Sequence, residues 1–292
     1  SNARRTIYSL CGGFLMEIID SFLSFDGIQK IIRHNSDALS CEMTFAIYEP
    51  ESGGIKNPPV LWYLSGLTCS HANVMEKGEY RRVASELGMI IVCPDTSPRG
   101  NDIPDEEDNW QFGTGAGFYL DAVSPPYDNN YNMYTYITKE LPTLLREKCS
   151  IESNTHGIFG HSMGGHGAIT IALKNPDSYK SCSALAPISQ PSTASWSKAA
   201  FEKYLGKDPK LWRDYDATCL LEDGHRYPEI LVDQGLSDPF LEDGLRPELL
   251  RVACENAGVN LELRLREGYD HSYYFISTFM ESHLRWHHKR LC

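Results

Sequence analysis

The chain has 292 residues, 41% of them hydrophobic and 11% aromatic, enough apolar side chain to bury a large core. Its 39 acidic residues outnumber 27 basic ones for a net charge of −12, and no basic stripe interleaved with aromatics offers a footprint for phosphate, so nucleic acid is excluded as a partner. The 9 cysteines are scattered without a C-x-x-C pair, which points to a reducing, cytoplasmic compartment and away from a disulfide framework or a zinc ribbon.

Ser1-Asn2-Ala3 reads as the remnant of a cleaved tag, and residues 1–15 are set apart as an N-terminal extension ahead of a single domain spanning 16–292. Arg4, Arg5 and the apolar run that follows imitate a short signal peptide. Glu17 and Asp20 interrupt that run, no small-x-small site closes it, and no later stretch is long and apolar enough to cross a bilayer, so no membrane partner is expected.

The first recognisable strand is CEMTFAIYEP (41–50), which alternates apolar and polar positions. PPVLWYLSG (58–66), GMIIVCPD (88–95) and THGIFGHS (155–162) are short continuous apolar runs of the kind that fill sheets buried on both faces. Helical patterns lie between them at 74–87, 133–148 and 163–174. EILVDQG (229–235) and NLELRLRE (260–267) add two more strands, with helices expected over 241–258 and 272–289. Strands alternating with helices predict an α/β fold, a doubly wound and mostly parallel sheet with helices on both faces.

Residues 94–132 break the alternation with a long acidic stretch rich in Gly, Pro and aromatics. Trp110, Phe112, Phe118 and Tyr119 are poor candidates for solvent, so the segment is expected as an ordered loop over the sheet edge. Its G-T-G-A-G resembles a phosphate loop, but it does not come between a strand and a helix as a dinucleotide site requires.

In an open α/β sheet, ligands gather beyond the carboxyl ends of the strands. FGHSMGGHGA (159–168) reaches that edge as a strand and leaves it as a helix, which sets Ser162 at the turn. The G-x-S-x-G spacing frees Gly160 and Gly164 of Cβ atoms where a tight turn has no room for them. Ser162 in that setting reads as a nucleophile rather than a small residue in a glycine-rich turn, with the backbone N–H of Met163 aimed at an anion formed there. A serine nucleophile needs a base, and the base needs an acid, in the chain order Ser, acid, His. His271, in the loop before the last helix, is the base. Asp238, just after strand 229–235, is the acid, with Asp243 as runner-up; Asp233 belongs to the strand and Asp270 adjoins His271. Leu67, after the strand ending LSGL, is either the second oxyanion donor or part of an ordinary glycine turn. His283 and His287 lie four apart on the last helix, but with no third ligand nearby the pair reads as the solvated end of a helix and not as a metal site.

Taken together, LSGLTC (64–69), CPDTSPRG (93–100), GTGAGFYLDA (113–122), GHSMGGHGA (160–168), LAPISQP (185–191), QGLSDPF (234–240) and GYDHSYYFI (268–276) make the chain resemble the S-formylglutathione hydrolases, the esterase D family of the α/β-hydrolases. The resemblance implies that fold, a Ser162–Asp238–His271 triad, oxyanion donors at Leu67 and Met163, and a family cysteine at Cys69 near the site. It also implies hydrolysis of S-formylglutathione to formate and glutathione, a step of formaldehyde removal, with no metal or organic cofactor. QPSTASWS (190–197) departs from the family's usual N-P-x-x-C-P-W-G, although Trp196 keeps its place. Trp110 and Trp196 either narrow the acyl pocket or belong to the core. The alternatives are a general short-chain carboxylesterase or acyltransferase on the same fold, or a binding module without catalysis, which a complete triad argues against. The expected partner is a small glutathione thioester, and a homodimer is compatible with the chain.

Overall fold

A computed structural model describes the backbone of residues 7–9, 15–51 and 53–292; Ser1-Asn2-Ala3 and most of residues 1–15, read above as a tag remnant and an extension, lie outside the described residues. The strands are β1 (Ile7–Ser9), β2 (Leu15–Leu23), β3 (Gly27–Ser36), β4 (Cys41–Pro50), β5 (Val60–Leu64), β6 (Ile90–Pro94), β7 (His156–His161), β8 (Ser181–Leu185), β9 (Glu229–Gly235) and β10 (Asn260–Arg266). They form one sheet in the order β1-β2-β3-β4-β6-β5-β7-β8-β9-β10. β1 to β4 pair antiparallel, β4 meets β6 antiparallel, and from β6 to β10 all neighbours are parallel. The α/β-hydrolase expectation is met.

The parallel centre follows from composition. Every side chain of β5 (VLWYL) and β6 (IIVCP) is buried, as continuous apolar runs covered by helices on both faces must be. β2 and β3 escape the sequence reading because their alternation is broken: the β2–β3 register slips between Ile18 and Asp20 at a bulge, which moves later side chains to the opposite face.

The helices are α1 (His71–Lys77), α2 (Arg81–Leu87), α3 (Met133–Thr135), α4 (Leu141–Lys148), α5 (Met163–Lys174), α6 (Lys198–Leu205), α7 (Pro209–Arg213), α8 (Ala217–Glu222), α9 (Pro247–Ala257) and α10 (Tyr273–Leu291). The single helix expected over 74–87 is two, because the chain turns at Gly78 and Glu79 takes φ 59°, in the left-handed region that ends a helix. Likewise the stretch 241–258 opens with a π-turn, Leu241–Leu245, and becomes regular only at Pro247.

Alternation along β8 shows how the helices flank the sheet. Cys182 donates to the Ala168 carbonyl of α5, whereas its neighbours Ser181 and Ser183 bond to His287 and His283 of α10, so α5 and α10 cover opposite faces. This corrects the reading of the two histidines as a solvated helix end. Both are fully buried. Ser183 Oγ lies 2.8 Å from His283 Nδ1 and 2.7 Å from His287 Nε2, and His283 Nε2 lies 2.7 Å from Asp233 Oδ2. Each polar atom has found a partner, the condition under which imidazoles can be buried. Burial pushes Asp233 up, but His283 and Arg266 pull it down further, so its carboxyl is held below the usual range.

The segment 94–132 is an ordered loop as expected. Phe112, Phe118 and Tyr119 are buried, and Trp110 alone of the four stays 46% exposed.

Candidate active site

Ser162 stands between β7 and α5 at φ 58° and ψ −116°, a backbone conformation that persists only where the surroundings over-determine it. They do so here. Its N–H donates to the Leu185 carbonyl at 3.0 Å, and its own carbonyl accepts from His166 N at 3.0 Å and Ile188 N at 3.3 Å. The end of β5 presses on the turn from the other side: a Cβ at Gly160 would come 2.6 Å from the Leu64 oxygen, and one at Gly164 2.7 Å from the Ser65 oxygen. Both glycines of G-x-S-x-G are therefore steric requirements of the packing, as the spacing suggested. Met163 opens α5, so its N–H belongs to the first turn, whose donors have no intrahelical acceptor.

Asp238 and His271 meet because β9 and β10 are adjacent and in register to their ends, with Gly235 opposite Arg266. Beyond the strands, Leu236 N donates to the Arg266 carbonyl and Ser237 N to the Tyr269 carbonyl, each at 2.9 Å. The two loops are thus tied together, and His271 Nδ1 donates to Asp238 Oδ2 at 2.6 Å. Asp238 also accepts from Gln234 Nε2 at 3.2 Å and from Phe240 N at 2.8 Å, and its carboxylate is fully buried. With Nδ1 committed, Nε2 is the ring nitrogen left for proton transfer. The ring lies between His161, at 4.4 Å centroid to centroid, and Phe240, at 5.1 Å. Burial and the neighbouring His271 hold the His161 pKa well below its ordinary value.

The other acids are placed elsewhere. Asp233 holds His283 and Arg266, Asp270 caps α10 through Ser272, and Asp243 is exposed in the π-turn.

Ser162 and His271 line one cavity of about 380 Å³ together with Gly66, Leu67, Thr68, Cys69, Trp110, His161, Trp196, Phe240 and Tyr273. That volume lies in the range of small-molecule sites. The turn at Gly66 abuts the serine turn, since a Cβ there would lie 3.3 Å from Ser162 Cβ. Leu67 and Met163 therefore flank Ser162 from two different strand ends. Cys69 forms part of the wall; burial raises its thiol pKa, with Lys77 and Arg99 pulling the other way. Trp196 is buried and Trp110 half exposed, their rings 5.9 Å apart, so one is inner wall and the other rim. His161, Phe240 and Tyr273 were missed by sequence reasoning. Each was within two residues of a candidate, and none carries a chemical signature in isolation. Among the described residues no group of three or more His, Cys, Asp or Glu could hold a metal ion.

Comparison with known proteins places the chain in a family of esterases. Residues 36–286 match the family described as "Putative esterase". The chain is 49% identical over 278 residues to the S-formylglutathione hydrolase of Bos taurus, covering 94% of this chain and 98% of that one. It is 45% identical over 275 residues to the S-formylglutathione hydrolase of Paracoccus denitrificans (strain Pd 1222), again covering 94% and 98%. A solved S-formylglutathione hydrolase structure from Agrobacterium tumefaciens superposes with a TM-score of 0.92 at 59% identity, over 94% of this chain and 99% of that chain. A ferulic acid esterase at 20% identity, TM-score 0.68, shares the fold alone.

Proposed function

We infer that this chain hydrolyses S-formylglutathione to formate and glutathione, on the premise that it belongs to the S-formylglutathione hydrolase family of the esterases. The observation that carries the reading is the 2.6 Å bond from His271 Nδ1 to Asp238 Oδ2 beside a cavity that His271 shares with Ser162. Asp238 holds the imidazole in one tautomer, leaving Nε2 to take the proton as Ser162 Oγ attacks the formyl carbon. The N–H groups of Leu67 and Met163 stabilise the oxyanion. As the C–S bond breaks, His271 returns the proton to the glutathione sulfur. A water then attacks the formyl ester, giving its proton to His271, and Ser162 recovers it as formate leaves.

The leaving group and the cavity both suit this reading. A thiolate, with a conjugate-acid pKa of about 8.5, is a good leaving group that needs little acid assistance. Buried Trp196 packs within 5.4 Å of Phe240 and 5.9 Å of Trp110, both partly exposed, so large aromatic side chains narrow the cavity in a way that suits a one-carbon acyl group. The setting is a reducing cytoplasm in which glutathione carries formaldehyde; the free cysteines, from Cys41 to Cys292, support it.

Steady-state kcat/KM on S-formylglutathione against S-acetylglutathione and a simple acetyl ester tests the reading. One extra methyl in a tight pocket is worth about 10- to 200-fold, so the formyl thioester should lead by at least the lower figure. Equal rates on all three would make the protein a general short-chain esterase instead.

A further inference from the structure

Two motifs, CPDTSPRG (93–100) and GTGAG (113–117), take no part in the chemistry above, yet both converge on the turn that carries Leu67. From one side, the Cys69 carbonyl accepts from Arg99 Nη2 at 3.0 Å and from Thr96 Oγ1. Arg99 is itself locked by Asp95, with Nε to Oδ2 at 2.8 Å and Nη2 to Oδ1 at 3.0 Å, and the Asp95 side chain is only 6% exposed. From the other side, Thr68 N donates to the Gly115 carbonyl at 3.0 Å, and Gly115 N donates to Ser97 Oγ at 2.8 Å. Gly115 sits at φ +77°, and a Cβ on it would come 3.1 Å from Thr68 Cα.

Between these two grips the backbone is strained. Thr68 has φ 70°, which is an outlier for a β-branched residue and costs on the order of 1–3 kcal/mol. Within the turn only the long bond from Cys69 N to the Gly66 carbonyl, 3.3 Å, opposes relaxation of Thr68, and a change there would carry the Leu67 residue, and with it the Gly66–Leu67 peptide whose N–H faces the site, to a new orientation.

We propose that Arg99, fixed by Asp95, is a positioning residue for the oxyanion site: by gripping the Cys69 carbonyl it holds Thr68 in its strained conformation and keeps the Leu67 N–H aimed at the place where the oxyanion forms. Arginine suits the task because its planar fork meets the carboxylate with two bonds and keeps a donor for the carbonyl. Lysine, a point charge, cannot fix both directions. The proposal rests on the assignment of Leu67 as a donor above.

The test uses Arg99→Ala and Arg99→Lys, assayed on S-formylglutathione and on p-nitrophenyl acetate. It adds binding of an alkylthio trifluoromethyl ketone, which forms a tetrahedral oxyanion on serine, and of S-methylglutathione, which forms none. A donor displaced by an ångström costs roughly 10- to 100-fold, so Arg99→Ala should lose that much kcat on both substrates. The ketone should weaken by the same factor, with KM and S-methylglutathione affinity held within about twofold. Arg99→Lys should fall between and decides the matter if the alanine variant does not fold. A folded variant with kcat within about threefold of the parent overturns the proposal. So does equal weakening of the ketone and S-methylglutathione, which would make Arg99 a substrate-binding group. If the parent enzyme acts on the ester but not on S-formylglutathione, the proposed substrate fails while the ester arm still reports on Arg99.

Discussion

Gly164→Ala is the sharpest probe of how the elbow is built. The new Cβ would overlie the Leu64 carbonyl and lie 2.7 Å from the Ser65 oxygen, inside the 3.0 Å that Cβ atoms keep from backbone. No flexible side chain can yield, because both neighbours are main chain at the end of β5. The helix start and the strand end must therefore separate by about 1 Å, which would displace Met163 and Leu67 relative to Ser162 and cost on the order of 100-fold in kcat. Overpacking should also cost about 1–3 kcal/mol of stability, a loss visible as a lowered Tm but not as unfolding at 25 °C. Steady-state kinetics on S-formylglutathione with a thermal melt on the same sample measures both. A folded Gly164→Ala enzyme with kcat within about threefold of the parent would refute the claim that close approach of β5 to the elbow sets the oxyanion geometry.

Ser162→Ala and His271→Ala should each lower kcat by about 10³-fold or more with an unchanged Tm, and Asp238→Asn should be comparably severe because Nδ1 loses its acceptor; appreciable turnover by folded Ser162→Ala would end the assignment. His166 is fully buried with Nε2 2.9 Å from the Phe118 carbonyl, and burial pushes its pKa down to about 4 from 6.5. The unfolded chain therefore binds the extra proton first as pH falls below 6.5, so the parent should lose about 2 kcal/mol between pH 7 and pH 5 from this group alone. Urea melts of the parent and His166→Gln across that range should differ in slope; parallel curves would remove His166 from the account. At Cys69 a bulky maleimide should inactivate the enzyme, faster at higher pH because burial has raised the thiol pKa. Cys69→Ser should remain active and become resistant, and sensitivity retained in that variant would move the effect to another cysteine.

Local rules were enough for much of this protein. The parallel strands were legible because a strand buried on both faces must be apolar throughout, and the G-x-S-x-G turn because its spacing sits between a strand and a helix, although the atoms that crowd Gly164, in Leu64 and Ser65, come from the end of β5. Order along the chain then nominated Asp238 and His271. Their meeting, however, depends on β9 and β10 ending in register and on two hydrogen bonds between the loops, and neither is written in either loop alone. The same limit explains the errors. A bulge between Ile18 and Asp20 hid β2, and a left-handed Glu79 split one expected helix in two. His283 and His287 carry the charge pattern of a wet helix end, yet they are buried because their partners, Ser181 and Ser183, come from a strand about a hundred residues earlier. Chain pattern shows which side chains are able to be buried or to react. Which polar atoms find partners across the fold is settled only when distant strands and helices close around them, because a hydrogen bond depends on distance in space and not along the sequence.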